Sequence, residues 1–439
     1  MIKILYTIIA VFLNSLCFTQ DQMTLQKAIS IGIENNYGIK INDLNIQIAE
    51  NNNTWAMAGR GPIVDLNINF SNNLTKDNNK ASFLQGTYYT GSFGPSLNAQ
   101  WIVFNGGRIR VQKDQLSQIT DQQRLAKDNE IHALVTNIHQ AYYNVIFRKA
   151  QLEVLQNNLE LSNDRLEYEK TKKEFGSSNS YNLLQFETSI ISDTSAILSQ
   201  HQAVEVAKRQ LLDIMNEVGM PNYSFSETLS VKLEEIDEQQ LEEILSEENY
   251  TLKTLEMIAN LNRINTRIEK SSKKPTISLN SSFGFTQAGF NSNEINFRTQ
   301  EPFGFISSNR WDGNLTASLS WNLIDGGVRK TKIENAQLQE EVDQLTVLEA
   351  KATLTNQLAI LISNYKNQKD LLTLSNQRLE VSQRNLAMTE ERFKAGVITS
   401  LDYRNVQIQM LSAAFAKATA IYNLIVTKSE IDFMVGRYN

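Results

Sequence analysis

The chain repeats itself once, and that repeat constrains every element drawn on it. Trp101-Ile102-Val103-Phe104-Asn105-Gly106-Gly107-Arg108 is matched by Trp321-Asn322-Leu323-Ile324-Asp325-Gly326-Gly327-Val328-Arg329 at an offset of 220. Gly176 and Gly396 stand at the same offset. Upstream the offset is 213, since Asn36-Tyr37 matches Asn249-Tyr250 and Pro62 matches Pro275. The difference falls between the proline and the tryptophan, in a loop.

Between Arg108 and Val218 there is no proline and one glycine, Gly176; between Val328 and Val435 there is again no proline, and only Gly396. The 439 residues hold 5 prolines and 19 glycines, about 1% and 4% against a usual ~5% and ~7%. Each half is therefore expected to contain a helical hairpin, over 108–218 and 328–435, bent at its single glycine. Each outgoing arm spans some 69 residues, about 100 Å at the helical rise. Ile131, Ile138, Val145, Leu152, Leu159 and Leu166 keep strict heptad spacing in the first arm, and Leu358, Tyr365, Leu372, Leu379, Leu386 and Phe393 do so in the second. Sustained heptads predict coiled-coil packing.

After each proline the period changes from seven to two. Val64, Leu66, Ile68 and Phe70 alternate with Asp65, Asn67, Asn69 and Ser71, and Leu97, Ala99, Trp101 and Val103 with Ser96, Asn98 and Gln100. In the second half Ile277, Leu279, Ser281, Phe283 and Phe285 alternate with Ser278, Asn280, Ser282 and Thr286. Leu315, Ala317, Leu319, Trp321 and Leu323 alternate with Asn314, Thr316, Ser318, Ser320 and Asn322. Strands are expected at about 62–73, 95–104, 275–286 and 313–324, each near the ~10 residues that a tilted strand needs to cross a bilayer. The segments between them read as long polar loops carrying the aromatics Tyr88, Tyr89, Phe93, Phe303, Phe305 and Trp311. A soluble half-buried sheet alternates in the same way. Here the polar face is uncharged apart from Asp65, which suits a wet lumen, and external loops with aromatic girdles suit an outer-membrane barrel. Four strands cannot close a barrel, and an open edge is forbidden in lipid. The chain must therefore oligomerise; three copies would give twelve strands and a ring of long helices, a tube.

The N-terminus is consistent with export. Lys3 precedes an apolar stretch from Ile4 to Leu16, and Ser15-Leu16-Cys17-Phe18-Thr19-Gln20 reads as the end of a secretory signal peptide over 1–19. Leu16 stands where a lipoprotein signal has a small residue before the cysteine, which argues against lipidation of Cys17. No run of 18 apolar residues makes a transmembrane helix. The net charge of −6 carries no basic patch, so nucleic acid is not an expected partner. With 3 histidines and 1 cysteine there is little material for a metal site. His132 and His139 are seven apart on one helix, some 10 Å by the rise, too far to share an ion. Neither Gly-x-Gly-x-x-Gly nor Gly-Lys-Ser/Thr follows the paired glycines, and no Ser-His-Asp or Cys-His set emerges. Neither an enzyme nor a cofactor is expected. Glu227 to Glu248 carries nine carboxylates against Lys232 alone and reads as a solvated linker.

On these residues the chain resembles the TolC-like outer-membrane factor family, the exit ducts of tripartite efflux pumps and type I secretion systems. The resemblance runs from about Thr24 to Val435. It rests on Leu25, Ala28 and Asn35-Asn36, the Pro62 and Pro275 strand openings, both Trp-to-Gly-Gly joints, and the turns at Gly176 and Gly396. It implies a homotrimer with a twelve-stranded barrel in outer-membrane lipid and an α-helical barrel in the periplasm. It also implies docking of the helix tips, around Gly176, Ser177, Ser178, Gly396, Val397 and Ile398, on a periplasmic adaptor (membrane fusion protein). The adaptor connects the duct to an inner-membrane transporter of RND, ABC or MFS type. Asn105, Gly106, Gly107 and Asp325, Gly326, Gly327 are then the strand-to-helix joints, with Asn105 or Asp325 as helix caps. In the family, acidic residues just after the periplasmic turn narrow the tunnel entrance. Asp402 matches such a position, while Asn405 and Asn182 are neutral where acids can stand; three converging copies of Asp402 would repel and favour bound cations or raised pKa values.

The resulting organisation is mainly α with β: a signal peptide 1–19, a first repeat 20–219, an acidic equatorial linker 220–248 and a second repeat 249–439. The rival reading is a soluble periplasmic coiled-coil scaffold or adaptor that uses its strands as an ordinary sheet.

Overall fold

The computed structural model describes residues 22–79, 81, 86–217, 219, 223–295 and 300–437. The expected signal segment, with Cys17, lies outside the described residues. In chain order come α1 (Leu25–Asn35), α2 (Tyr37–Asn52), β1 (Ile63–Asp77), β2 (Gly86–Asn105), α3 (Arg108–Glu174) and α4 (Ser180–Ile214). The second half repeats them as α5 (Glu238–Glu248), α6 (Tyr250–Ser271), β3 (Thr276–Ile295), β4 (Pro302–Ser320), α7 (Val328–Lys394) and α8 (Ser400–Met434). Two compact units form. One comprises Met1–Leu44, Leu125–Thr254 and Val347–Asn439, the other Asn45–Arg124 and Leu255–Thr346.

The first unit is helical, and its packing obeys the repeat. Ile138, Tyr142, Val145, Leu211 and Met215 are buried together with Met23, Ala28 and Phe225. Their counterparts Leu358, Ile362, Tyr365, Ile431 and Val435 are buried with Leu241, Leu245 and Leu252. One pair trades volume: a Cβ on Gly32 would stand 2.3 Å from Ile138 Cδ1, whereas its counterpart Leu245 is a buried side chain. The helices α1 and α5 stop at matched asparagines, each capping two helices. Asn36 donates its N–H to Gly32 O and accepts from Ile39 N at 2.9 Å. Asn249 donates its N–H to Leu245 O, accepts from Leu252 N at 3.0 Å and gives its side-chain amide to Met434 O at 2.7 Å. These junctions explain the Asn36-Tyr37 and Asn249-Tyr250 match in the sequence.

The hairpins bend at their glycines, and each outgoing helix has 67 residues and each return helix 35. Two expectations about the helices are corrected. Within the first stripe Ile138 and Val145 are buried, but lower down α3 the buried positions become Leu155, Asn158, Ser162, Arg165 and Glu169. The reason is that α3 there packs against the second hairpin as well as its own. The acidic segment is not merely a solvated linker. Asp237 caps α5, accepting from Gln239 N and Gln240 N; Leu241 and Leu245 enter the core, and Glu234, Glu235 and Glu238 lie 3.5–3.6 Å from Lys428, Lys369 and Lys366. Charge counting missed it because its apolar residues are few and helically spaced. Among the described residues, α8 is long and apolar enough to cross a membrane by composition, yet Ala413, Ala420, Leu424 and Ile425 are buried in the bundle.

The second unit holds one antiparallel sheet in the order β1-β2-β3-β4. Its strands run 15, 20, 20 and 19 residues, well beyond the expected ~10. Tyr88, Tyr89 and Phe93 lie in β2 and Phe303, Phe305 and Trp311 in β4, so the segments read as long loops are mostly strand. The pleat continues through Leu74 opposite Tyr89. The sequence pattern fades there because its outward positions turn into Asn72, Gly91, Gly289 and Asn309. At the other end β4 stops at Ser320 rather than 324, because β3 begins at Thr276, Ser320's partner, and offers nothing opposite Trp321.

Candidate functional site

Both hairpin turns are built by the same local rule. Gly176 and Gly396 sit at φ +74° and +73°, in the left-handed region that favours glycine. Gly176 N donates to Lys173 O and Ser177 N to Lys172 O; Gly396 N donates to Phe393 O and Val397 N to Arg392 O. This is the Schellman closure of a helix C-terminus. Asn179 then caps α4, accepting from Asn182 N at 3.0 Å. Thr399 caps α8 in a full capping box with Asp402. The turns present apolar side chains to solvent: Phe175 is 81% exposed and Val397 65%.

Asp402 is spent locally. Its carboxylate accepts from Thr399 N at 3.0 Å and from Thr399 Oγ1 at 2.7 Å. The Thr399 hydroxyl and N–H hold it below the ordinary carboxylate range. Within one chain the shift thus runs opposite to the raised value expected from three converging copies. Asn405 is exposed on the same helix. Asn182 instead accepts from Ser400 Oγ at 3.3 Å, which joins the two hairpin turns. Ser178 Oγ donates to the buried Glu169 at 2.5 Å, while Ser177 and Ile398 complete the turns.

Just behind the turns lies a buried polar cluster that the sequence reading missed. Arg404 donates from both terminal nitrogens to Asp193, at 2.6 and 2.9 Å. Ser162 Oγ donates to Asp193 at 2.7 Å, and Gln407 Nε2 to Asn158 O and Ser162 Oγ. Arg165 reaches Glu390 at 2.6 Å and lies over the Tyr403 ring. The residues come from α3, α4, α7 and α8, so the cluster ties the two hairpins of one chain together. A signal existed: Asp193 falls seven residues after the buried Phe186 and fourteen before the buried Ala207, a charge in an apolar heptad position.

At the strand-to-helix joints, Gly106, Gly107, Gly326 and Gly327 all have φ between +64° and +92°. Asn105 Oδ1 accepts from Ile109 N at 3.2 Å. Asp325 accepts from Arg329 N at 3.0 Å and from Gly327 N at 3.2 Å. Arg329 in turn donates to Ser272 O and Asn322 O. A Cβ on Gly106 would stand 2.2 Å from Ser271 O, whereas Gly326 has open space. The indoles of Trp101 and Trp321 donate to Arg60 O and Lys273 O at 2.8 and 3.2 Å. Among the described residues no cluster of three His, Cys, Asp or Glu is placed to hold a metal ion.

Each half of the chain contributes one long helical hairpin and two strands of a single two-faced four-stranded sheet. The chain matches the family described as outer membrane efflux protein over residues 29–217 and 245–437, and it belongs to that family. Its members are channels, set in the outer membrane with a helical extension into the periplasm. No curated protein matches the chain. Solved structures of similar fold include the CmeC outer membrane channel of Campylobacter jejuni, at 15% identity and TM-score 0.75, covering 94% of this chain and 85% of that one. The outer membrane protein VceC of Vibrio cholerae shows 14% identity and TM-score 0.70 over 94% and 96% of the two chains. The open state of the Neisseria gonorrhoeae MtrE outer membrane channel shows 16% identity and TM-score 0.72 over 94% and 89%.

Proposed function

We propose that this chain is the homotrimeric exit duct of a tripartite efflux pump or type I secretion system, a passive conduit whose cargo is driven by an inner-membrane transporter. The observation that carries the reading is a set of unpartnered edges. The sheet ends in β1 on one side and β4 on the other, an arrangement that lipid does not tolerate unclosed. On α4, Leu184, Ile191 and Leu198 form a heptad stripe 60–68% exposed, and on α7 Leu374, Val381 and Met388 form another, 56–68% exposed. Counted from the turns, the two stripes run antiparallel in step, Leu184 level with Met388 and Leu198 with Leu374. The α7 of one copy therefore fits the α4 of the next, as β4 of one copy fits β1 of the next. Such a head-to-tail contact closes a ring. Two copies would give eight strands, an interior that side chains must fill; the small polar face of this sheet favours twelve strands around water.

In this reading the exposed turns around Gly176, Ser177, Ser178, Gly396, Val397 and Ile398 dock on a periplasmic adaptor. Asn182, Asp402 and Asn405 lie at the tunnel entrance, and the joints from Asn105 to Gly107 and Asp325 to Gly327 redirect strands into helices. The two repeats are 20–219 and 249–439, joined by the segment 220–248, of which Leu241 and Leu245 dock in the core. The test is a paired Leu184→Cys and Met388→Cys chain, oxidised in outer-membrane vesicles. Covalent trimers on a non-reducing gel are expected; monomers alone would refute the seam.

A further inference from the structure

The register of the sheet sorts its side chains into two faces, and one face changes character abruptly at one end. Val64, Leu66, Ile68, Phe70, Leu97, Phe283, Leu315 and Trp311 share the parity that suits lipid. On the opposite parity, reading across paired strands from the joint end outward, the rows are Asp65-Asn98-Ser282-Asn314, then Asn67-Ser96-Gly284-Asp312. Farther out comes a row of the smallest side chains, Ser71-Ser92-Ala288-Ser308. The next row is Asn73-Thr90-Phe290-Ile306. Tyr88, two residues on from Thr90 toward the free end of the sheet, packs its ring on Phe290 with centroids 5.6 Å apart. A recess of about 260 Å³ is lined by Ser92, Ala288 and Ser308 beside Phe290 and Ile306, so small row and bulky row form a step.

From Asp65 out to Ser308 this face is small or polar, Ser, Asn, Thr, Gly and Ala with the charges of Asp65, Asp312 and Arg310, and apolar bulk beyond it breaks the usual alternation of a membrane barrel with a water-filled lumen. The bulk also lies at the outer end of the sheet, level with the last outward apolar row of Leu74, Tyr89 and Phe305. The outward aromatics Phe70, paired with Phe93, and Phe285, paired with Trp311, form one girdle, and Trp101 marks the other, near the joint to the helices. Tyr88, Phe290 and Ile306 stand past those aromatics, at the end of the sheet that the duct reading makes the extracellular mouth.

We propose that Tyr88, Phe290 and Ile306 form an apolar collar inside the extracellular mouth of the barrel, a constriction that sieves what passes by size. The proposal rests on the trimeric duct reading. Twelve strands ~4.8 Å apart, tilted by ~40°, give a backbone radius of about 12 Å. At that radius three copies of two aromatic rings and one branched side chain all point inward in neighbouring rows. Rings of apolar side chains act as constrictions in channels by excluding water and bulky solutes.

The sieve is read with a cysteine placed one row below the collar, Ala288→Cys, labelled in intact cells from outside. One reagent is a small methanethiosulfonate ammonium and the other a maleimide carrying a polyethylene glycol chain. The comparison is between Ala288→Cys alone and the same chain with Tyr88→Ser, Phe290→Ser and Ile306→Ser. A second background with Phe290→Ser alone guards against loss of assembly in the triple variant, and trimer formation is checked in each. The small reagent is expected to react at similar rates in all of them, and the bulky one at least ten-fold faster once the collar is removed. Equal rates for the bulky reagent with and without the collar would overturn the proposal. A different failure would overturn the duct reading beneath it: Ala288→Cys unreactive to the small reagent in every background while a lipid-parity cysteine, Leu97→Cys, reacts.

Discussion

Removing the carboxylate of Asp193 tests how the two hairpins of one chain are held together near their turns. Asp193 is 5% exposed at its side chain and Arg404 15%, and they meet through two hydrogen bonds of 2.6 and 2.9 Å. In Asp193→Ala the guanidinium stays buried, with Ser162 Oγ and Gln407 as its remaining partners. Breaking one side of a buried pair costs about 3–5 kcal/mol, because the surviving charge is left without compensation. If the turns open locally before cleavage, trypsin should cut at Arg392, Lys394 or Arg404 roughly 10² to 10³·⁵ times faster than in the unaltered chain. The double replacement Asp193→Leu with Arg404→Met removes both charges and should return the rate at Arg392 and Lys394, the sites it retains, to within about ten-fold. Proteolysis of Asp193→Ala within a factor of about five of the unaltered chain would refute the view that this pair fastens the hairpins.

Gly106→Ala and Gly326→Ala should part company: both need a positive φ, costing about 1–2 kcal/mol, but only Gly106 would also drive a methyl into Ser271 O. Assembled outer-membrane protein should fall sharply for Gly106→Ala and little for Gly326→Ala. Asp402→Ala removes half of the capping box and the candidate gate charge together, whereas Thr399→Ala loosens the box and keeps the charge. Bilayer recordings should show raised cation leak for Asp402→Ala alone, and equal currents in both would assign the residue to capping only. Burial pushes the pKa of His132 and His139 down. Above the unfolded value of about 6.5 both states are neutral and the full stability is present. As pH falls through that value the unfolded chain takes protons first, so stability declines by at most roughly 1.4 kcal/mol per pH unit for each histidine until the folded values are passed. Thermal unfolding between pH 7 and 5 should flatten in the His132→Gln, His139→Gln double variant.

The sequence is informative wherever one repeat checks the other. Offsets of 220 and 213 locate both turns, both joints and, through Ile138 with Leu358 and Met215 with Val435, the two equivalent cores. It is least informative where the physical contrast is weak. Toward the outer strand ends the outward apolar residues thin out, so period two fades although the hydrogen-bond ladder continues from Ser71 to Asp77. The acidic segment hides two core leucines, Leu241 and Leu245, among nine carboxylates. The cluster around Asp193 and Arg404 joins residues more than 200 positions apart, and only the interruption of a heptad hints at it. The capping role of Asp402 is readable in Thr399-Ser400-Leu401-Asp402, a Thr with an acid three residues later, once the position of the helix start is known.

The most direct measurement is the mass of the cross-linked, detergent-extracted protein taken from carbonate-washed outer membranes. Open sheet edges and exposed heptad stripes require closure by neighbouring copies, so a species of three chain masses that resists the wash is expected. A single-chain species, or a protein released by the wash, would contradict the trimeric duct.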